Sequence, residues 1–242
     1  MIETLRNTRS LPDDALEELL ETPDLSLARR LEASAREVCL QVKGPRVLVR
    51  ALIEHSNMYR NNCLYCGIRS GRASVKRYSL SPEDILRCCA RAWRDGVHTF
   101  VIQGGENPAQ ARALLPVVKE IRGRYPRAAI TLSLGELPFE LYSAFKEAGA
   151  TRYLLRHETA NPAHYASLHP AGSVQTTLRL ISILRLMFPS ANIPSTTALA
   201  VLLPGGKETG IRAGANVIMN VYTPETERLK YDLYKGKTSR NV

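Results

Sequence analysis

From Arg46 onward the chain repeats one phrase: a short β-rich run, a polar or glycine-rich loop, then an amphipathic helical stretch. The first run is Arg46 to Glu54. Ser81-Pro82-Glu83-Asp84 then opens a helix, with Ser81 as N-cap and Pro82 in the first turn, and that helix runs to about Asp95 and Gly96. Strand His98–Gln103, helix Ala109–Tyr125, strand Ala129–Leu134, helix Phe139–Ala148 and strand Arg152–Arg156 follow. The strands run out into Gln103-Gly104-Gly105-Glu106, Ser133-Leu134-Gly135-Glu136 and Arg156-His157-Glu158-Thr159. This alternation predicts a parallel α/β sheet, because a parallel neighbour is reached through a crossover, and it puts the chemistry at the C-terminal strand ends.

After Asn161 the rhythm falters. A helix from about Val174 to Phe188 leads to a strand from Asn192 to Val201, and a last strand covers Asn216 to Val221. That makes six strands in the sequence, where a closed (β/α) barrel needs eight. The expected fold class is therefore α/β: an incomplete (β/α) TIM-type barrel of about six parallel strands, preceded by helices. Residues 1–45 read as a helical segment, with acids Asp13 and Asp14 where a helix dipole favours them and an amphipathic run from Leu27 to Val42. Residues 46–242 form the partial barrel in this reading, with no low-complexity linker between the two.

Composition narrows the function classes. A chain of 242 residues, 44% hydrophobic, can bury one large core. It has no run of 18 apolar residues for a membrane span, and its N-terminus lacks the basic-then-apolar pattern of a secretory signal. Five cysteines, sparse and odd in number, point to a reduced cytoplasm rather than to disulfides. The net charge of +10 is scattered, without a Lys/Arg block interleaved with aromatics, so no nucleic acid is expected and a basic soluble surface is.

The loop after the first strand carries the sharpest signal. Asn57-Met58-Tyr59-Arg60-Asn61-Asn62-Cys63-Leu64-Tyr65-Cys66-Gly67 has the outline of Cys-x3-Cys-x2-Cys, with Tyr59 in the first cysteine position. Cys63 and Cys66 by themselves would also suit half a zinc knuckle or a dithiol pair. Cys39, Cys88 and Cys89 lie in helical patterns and read as small buried residues. His157 reads either as a core histidine or as one facing substrate.

Several stretches together carry a family resemblance: the cysteine loop with Ile53-Glu54 before it, Gln103 to Glu106, Thr131 to Glu136, Arg152 to Pro162, Pro204-Gly205-Gly206 and Gly214 to Met219. With them the chain resembles the radical S-adenosylmethionine (SAM) superfamily, and within it the HydE maturases of iron-only hydrogenase. Methylornithine synthase and biotin synthase share the loop. The resemblance implies a 4Fe-4S cluster on three thiolates, SAM chelated to the open iron, and reductive cleavage of SAM to a 5′-deoxyadenosyl radical during assembly of the hydrogenase H-cluster. It places Cys63 and Cys66 as metal ligands, with Tyr59 in the first ligand position. It places Tyr65, Gly104, Gly105, Glu106 and Glu158 against SAM. Ser133, Arg156, Thr196 and Thr197 fall where substrate binds. A small-molecule substrate, an electron donor such as a ferredoxin or flavodoxin, and other hydrogenase maturation proteins follow as partners.

The chain departs from that pattern twice. Tyr59 replaces a thiolate with a larger, harder phenol whose ordinary pKa is near 10. Two strand-helix units are missing after Asn161, about 60 residues at roughly 30 per unit. The position of a SAM-contacting arginine then falls on or near Thr177, and the chain stops short of the family's C-terminal segment. These departures keep a second function open: a catalytically inactive remnant that is at most a weak SAM-binding or interaction module. They also predict an open sheet with an exposed edge at the Arg152 strand.

Overall fold

The structure, a computed structural model, describes residues 1–62, 66–154, 174–195, 199 and 203–231. Over these residues the chain forms two compact units, one from residues 1–48 and 174–219 and the other from 49–154 and 220–231.

The second unit holds the repeated strand-helix phrase. Strand β1 (Leu48–Ser56) is followed by α4 (Pro82–Arg94), β2 (Thr99–Gly104), α5 (Pro108–Ala113), α6 (Leu115–Arg124), β3 (Ala129–Ser133), α7 (Phe139–Glu147) and β4 (Arg152–Tyr153). Neighbours pair in parallel, with Ile53 opposite Ile102, Ile102 opposite Leu132, and Leu132 opposite Tyr153. Period-two alternation sends Ala51, Ile53, Phe100, Ile102, Ile130 and Leu132 to one face. There they form a single core with Ile85 and Cys89 of α4, Val118 and Ile121 of α6, and Leu141 and Phe145 of α7. Each large apolar side chain so buried contributes about 1.5–3 kcal/mol.

Helix α4 starts where the sequence places it. The Ser81 hydroxyl accepts from the Asp84 N–H at 3.1 Å, and the Asp84 carboxylate accepts in return from the Ser81 N–H at 3.4 Å. The single helix expected from Ala109 to Tyr125 is instead two, broken at Leu114. Pro116 explains the break: it has no N–H for the carbonyl four residues earlier, and its ring clashes there, so it suits the first turn of a new helix.

Strand β5 (Val217–Val221) extends the sheet, whose order is β4-β3-β2-β1-β5. Leu48 N–H donates to Asn216 at 2.8 Å and Tyr222 N–H donates to Leu52 at 2.7 Å, so residue numbers rise together and β5 runs parallel to β1. The sheet has five strands and does not close among the described residues, an incomplete parallel barrel. The sixth strand, expected from Asn192 to Val201, is reduced among the described residues to a bridge between Pro194 and Val217, and Leu199 is helical. The bonds of that bridge come from the neighbours of Pro194: Ser195 N–H donates to the Val217 carbonyl at 2.9 Å, and the Ile193 carbonyl accepts from Val217 N–H at 3.3 Å. The remainder of the Arg152 strand, and the junction from Ser167 onward to Ser173, lie outside the described residues.

The first unit is helical apart from its short strand contributions. Helices α1 (Ile2–Thr8), α2 (Asp13–Glu21) and α3 (Leu25–Lys43) pack with α8 (Val174–Met187), burying Leu5, Leu19, Leu31 and Ala35 against Ile183 and Leu186. Helix α9 (Gly206–Arg212) joins α3 and α8. Arg185 of α8 is wholly buried. Its guanidinium donates to the carbonyls of Gly214, Pro189 and Ala191 at 2.8, 2.7 and 2.8 Å, and to Asn216 Oδ1 at 2.9 Å.

Candidate functional site

The loop after β1 is tied at its base by its own polar side chains. Asn57 is fully buried; its Nδ2 donates to the carbonyls of Lys76 and Lys230 at 2.9 and 2.8 Å, and its Oδ1 accepts from the Tyr78 N–H at 2.7 Å. The Arg77 guanidinium donates to the carbonyls of Asn57, Ile68 and Arg69 at 2.6–2.7 Å. Asn62 Oδ1 accepts from Gly71 N–H at 3.0 Å and from Arg69 at 3.2 Å. These bonds fix both ends of the cysteine loop on the C-terminal end of β1, the position parallel-sheet logic assigns to chemistry.

Of the residues the sequence singles out, Tyr59, Cys66, Gly104, Gly105, Glu106 and Ser133 are described. Cys63, Tyr65, Arg156, His157, Glu158, Thr196 and Thr197 lie outside the described residues. Cys66 is half-buried and packs against the core. Tyr59 packs on the same core. Its ring covers Gly105: a Cβ built there would stand 2.5 Å from Tyr59 Cδ2 and collide with the Met58 carbonyl oxygen.

Glu106 is the junction of the site. Its Oε1 accepts from Arg60 Nη2 at 2.9 Å and from Asn61 Nδ2 at 3.0 Å, while its Oε2 accepts from the Glu136 N–H at 3.1 Å. The Arg60 N–H adds a bond to the Glu106 carbonyl at 3.1 Å. Burial alone would raise the Glu106 carboxyl, but the Glu136 N–H, Arg60 and Asn61 outweigh it and hold the group below its ordinary value. Gly135, at φ 78°, lets the side chain tuck beneath the end of β3, since any Cβ there would run into Glu106. The carboxylate therefore joins the cysteine loop to the ends of β2 and β3.

The face of the sheet opposite the helical core is polar at its C-terminal end. Glu54, Gln103 and Ser133 share one row of the register, and all three are buried. Gln103 Nε2 donates to Tyr231 Oη at 3.2 Å. One step below, Thr131 is buried with no hydrogen-bond partner for its hydroxyl among the described residues. Ser133 was expected here from the sequence. Glu54, Gln103 and Thr131 were not singled out, although polar residues at alternate positions of β-rich runs mark them.

The donor set does not match a three-thiolate cluster. The first ligand position carries the Tyr59 ring, seated on Gly105 and the core, and a phenol in that place is neither the size nor the softness of a thiolate. The Glu106 carboxylate, expected to meet SAM, accepts three hydrogen bonds from within the chain.

A family model described as the radical SAM superfamily matches residues 53–212. The chain belongs to the radical SAM superfamily. Among its relatives it is 35% identical, over 95% of the chain and 85% of the relative, to the FeFe hydrogenase maturase subunit HydE of Thermotoga maritima. That alignment runs over 299 positions against the chain's 242 residues, so it contains gaps on this chain's side, as the missing units require. It is 23% identical to the 3-methylornithine synthase of Methanosarcina barkeri, over 90% of the chain and 81% of the relative. Among solved structures, a crystal structure of methylornithine synthase (PylB) superposes with a TM-score of 0.79 at 21% identity, over 90% of this chain and 85% of that one. This radical SAM chain thus shares the fold of its relatives.

Proposed function

We propose that this radical SAM chain belongs to the hydrogenase-maturase branch and that its ancestral work is the SAM-dependent radical step of H-cluster assembly. The observation that carries the reading is the 35% identity to HydE over nearly the whole chain. In this reading Cys63 and Cys66 are metal ligands, and Tyr65, Gly104, Gly105, Glu106 and Glu158 form the SAM side of the site. Ser133, Arg156, Thr196 and Thr197 face a small-molecule substrate. An electron donor of the ferredoxin or flavodoxin type and other maturation proteins are the proposed partners. A cytoplasmic location fits the sparse cysteines, and among the described residues no helix is long and apolar enough to cross a membrane.

Tyr59 and the engaged Glu106 favour a second reading for the present chain, a protein that no longer holds a complete cluster. One experiment separates the two. After anaerobic reconstitution with iron and sulfide, the native chain should hold well under the roughly four irons of a full cluster. Tyr59→Cys should raise iron and sulfide toward that content, and Cys63→Ala or Cys66→Ala should remove what is bound. A native chain already carrying close to four irons, with no gain from Tyr59→Cys, would show that position 59 is no lesion.

A further inference from the structure

On the helical side of the sheet, behind the Gly104-Gly105-Glu106 loop, lies a cavity of about 350 Å³. His55, Gln110, Ile85, Leu114 and Val117 line it, with Ser79 at its exposed rim. The size is at the lower end of the range typical of small-molecule sites. Ile85, Leu114 and Val117 are buried and give it apolar walls. Two polar groups break that lining. His55 is 3% exposed, and burial alone shifts its imidazole, with no hydrogen bond contributing. Gln110 Oε1 is buried and has no partner among the described residues.

A buried imidazole and a buried carboxamide oxygen without partners each carry a desolvation cost that a hydrogen bond would remove. The imidazole is neutral here, because burial pushes its pKa down to about 4. A neutral imidazole has one lone-pair nitrogen to accept a bond, and the carboxamide oxygen is a second acceptor. No Asp, Glu, Lys or Arg lines the cavity and His55 is neutral, so a charged guest would lose its hydration with nothing to replace it.

We propose that this cavity is a binding site for a small uncharged molecule with an apolar body and a hydroxyl or N–H that donates to His55, with Gln110 as the second acceptor. The guest would touch the His55 ring, which in turn lies against Gly104 of the loop that the family uses for its cofactor. The Nε2–Cδ2 edge of the ring is pressed on the face of Gly104 where a Cβ would stand, with Nε2 nearest, so Nδ1 is the nitrogen left to accept from a guest.

Phenol and benzene are probes that differ only in the donor. Titrated into the full chain by ligand-observed NMR, phenol should saturate in the millimolar range and bind at least fivefold more tightly than benzene. In a ¹⁵N spectrum its shifts should centre on the amides of the lining residues Gln110 and Leu114. His55→Phe should erase the preference for phenol while leaving benzene binding intact, and Gln110→Leu should weaken phenol by a smaller factor. Retained benzene binding shows that each variant still folds around the cavity. The proposal is overturned if phenol shows no saturable binding, as for a pocket that holds only water. It is equally overturned if phenol and benzene bind alike, or if His55→Phe keeps the preference. Iron content plays no part in these readouts, so their failure leaves the maturase reading untouched.

Discussion

Arg185 and His55 are both basic side chains shut away from solvent, at 0% and 3% exposure, and the chain treats them in opposite ways. Arg185 is surrounded by acceptors: four backbone carbonyls, of Gly214, Phe188, Pro189 and Ala191, and the side-chain oxygen of Asn216. The His55 carbonyl accepts from the Leu80 N–H at 2.7 Å, while its imidazole lines a cavity and is shifted by burial with no hydrogen bond contributing. A guanidinium stays charged when buried, so it persists only where acceptors are supplied in full. An imidazole escapes the same cost by giving up its proton. The first arrangement is a lock, and its cation is consumed in holding α8 to the segment before β5. The second leaves a polar group uncommitted, which is why it, and not the arginine, marks a place for a guest.

Three measurements test that contrast. The largest effect is expected from Arg185→Leu, which strips the donors from the carbonyls of Gly214, Pro189 and Ala191 and should cost about 4 kcal/mol in urea unfolding. A loss below about 1 kcal/mol would mean that the carbonyls find new donors and that no lock exists. The next effect is one of acidity. His55 has its folded pKa depressed from 6.5 to about 4 by burial, so the unfolded chain takes up a proton first as pH falls. Its contribution is intact above pH 6.5 and is lost progressively down to about pH 4, by about 3 kcal/mol in all. The difference between native chain and His55→Phe, followed by urea midpoints from pH 7 to 4, isolates this from the carboxylates. A native chain that tracks the variant throughout would place the imidazole in contact with water or a partner.

The smallest effect belongs to Glu106, whose side chain is 12% exposed and whose ionic partner Arg60 is 61% exposed. Glu106→Gln should cost under about 1 kcal/mol, because a pair open to water on one side is heavily screened. Its carboxyl is held below the ordinary 4.5, so the stabilisation is present above that pH and fades as pH falls through the lower folded value. A larger loss would put this junction beside Arg185 as a structural lock rather than between the two extremes.

The sequence carried its local features well and its distant ones poorly. Ser81 and Asp84 announce the start of α4 because a capping box is complete within four residues. The parallel order of β1 to β4 follows from alternation alone. Pro116 was equally legible as a helix break, and the apolar period running through it masked the signal. Of the sixth strand the described residues hold only its start, where Ile193 and Ser195 bond to Val217 on either side of Pro194, and the rest of its span lies outside them. Arg185 looks like any surface arginine on a helix, since its acceptors arrive from carbonyls as far along as Gly214. The ties of Glu106 to Arg60, Asn61 and Glu136 span 30 to 46 residues, and no spacing rule connects them.

The seating of Tyr59 on Gly105 bears on any change at that position. A cysteine at position 59 would bring back a sulfur donor and at the same time empty the space of an aromatic ring that now helps to fill the core. Tyr59 is only partly buried, so the loss stays below the about 3–5 kcal/mol of truncating a fully enclosed aromatic side chain. A three-cysteine loop therefore goes with a less stable protein unless iron is at hand to compensate. Whatever position 59 does for a metal, the side chain it carries is part of the scaffold.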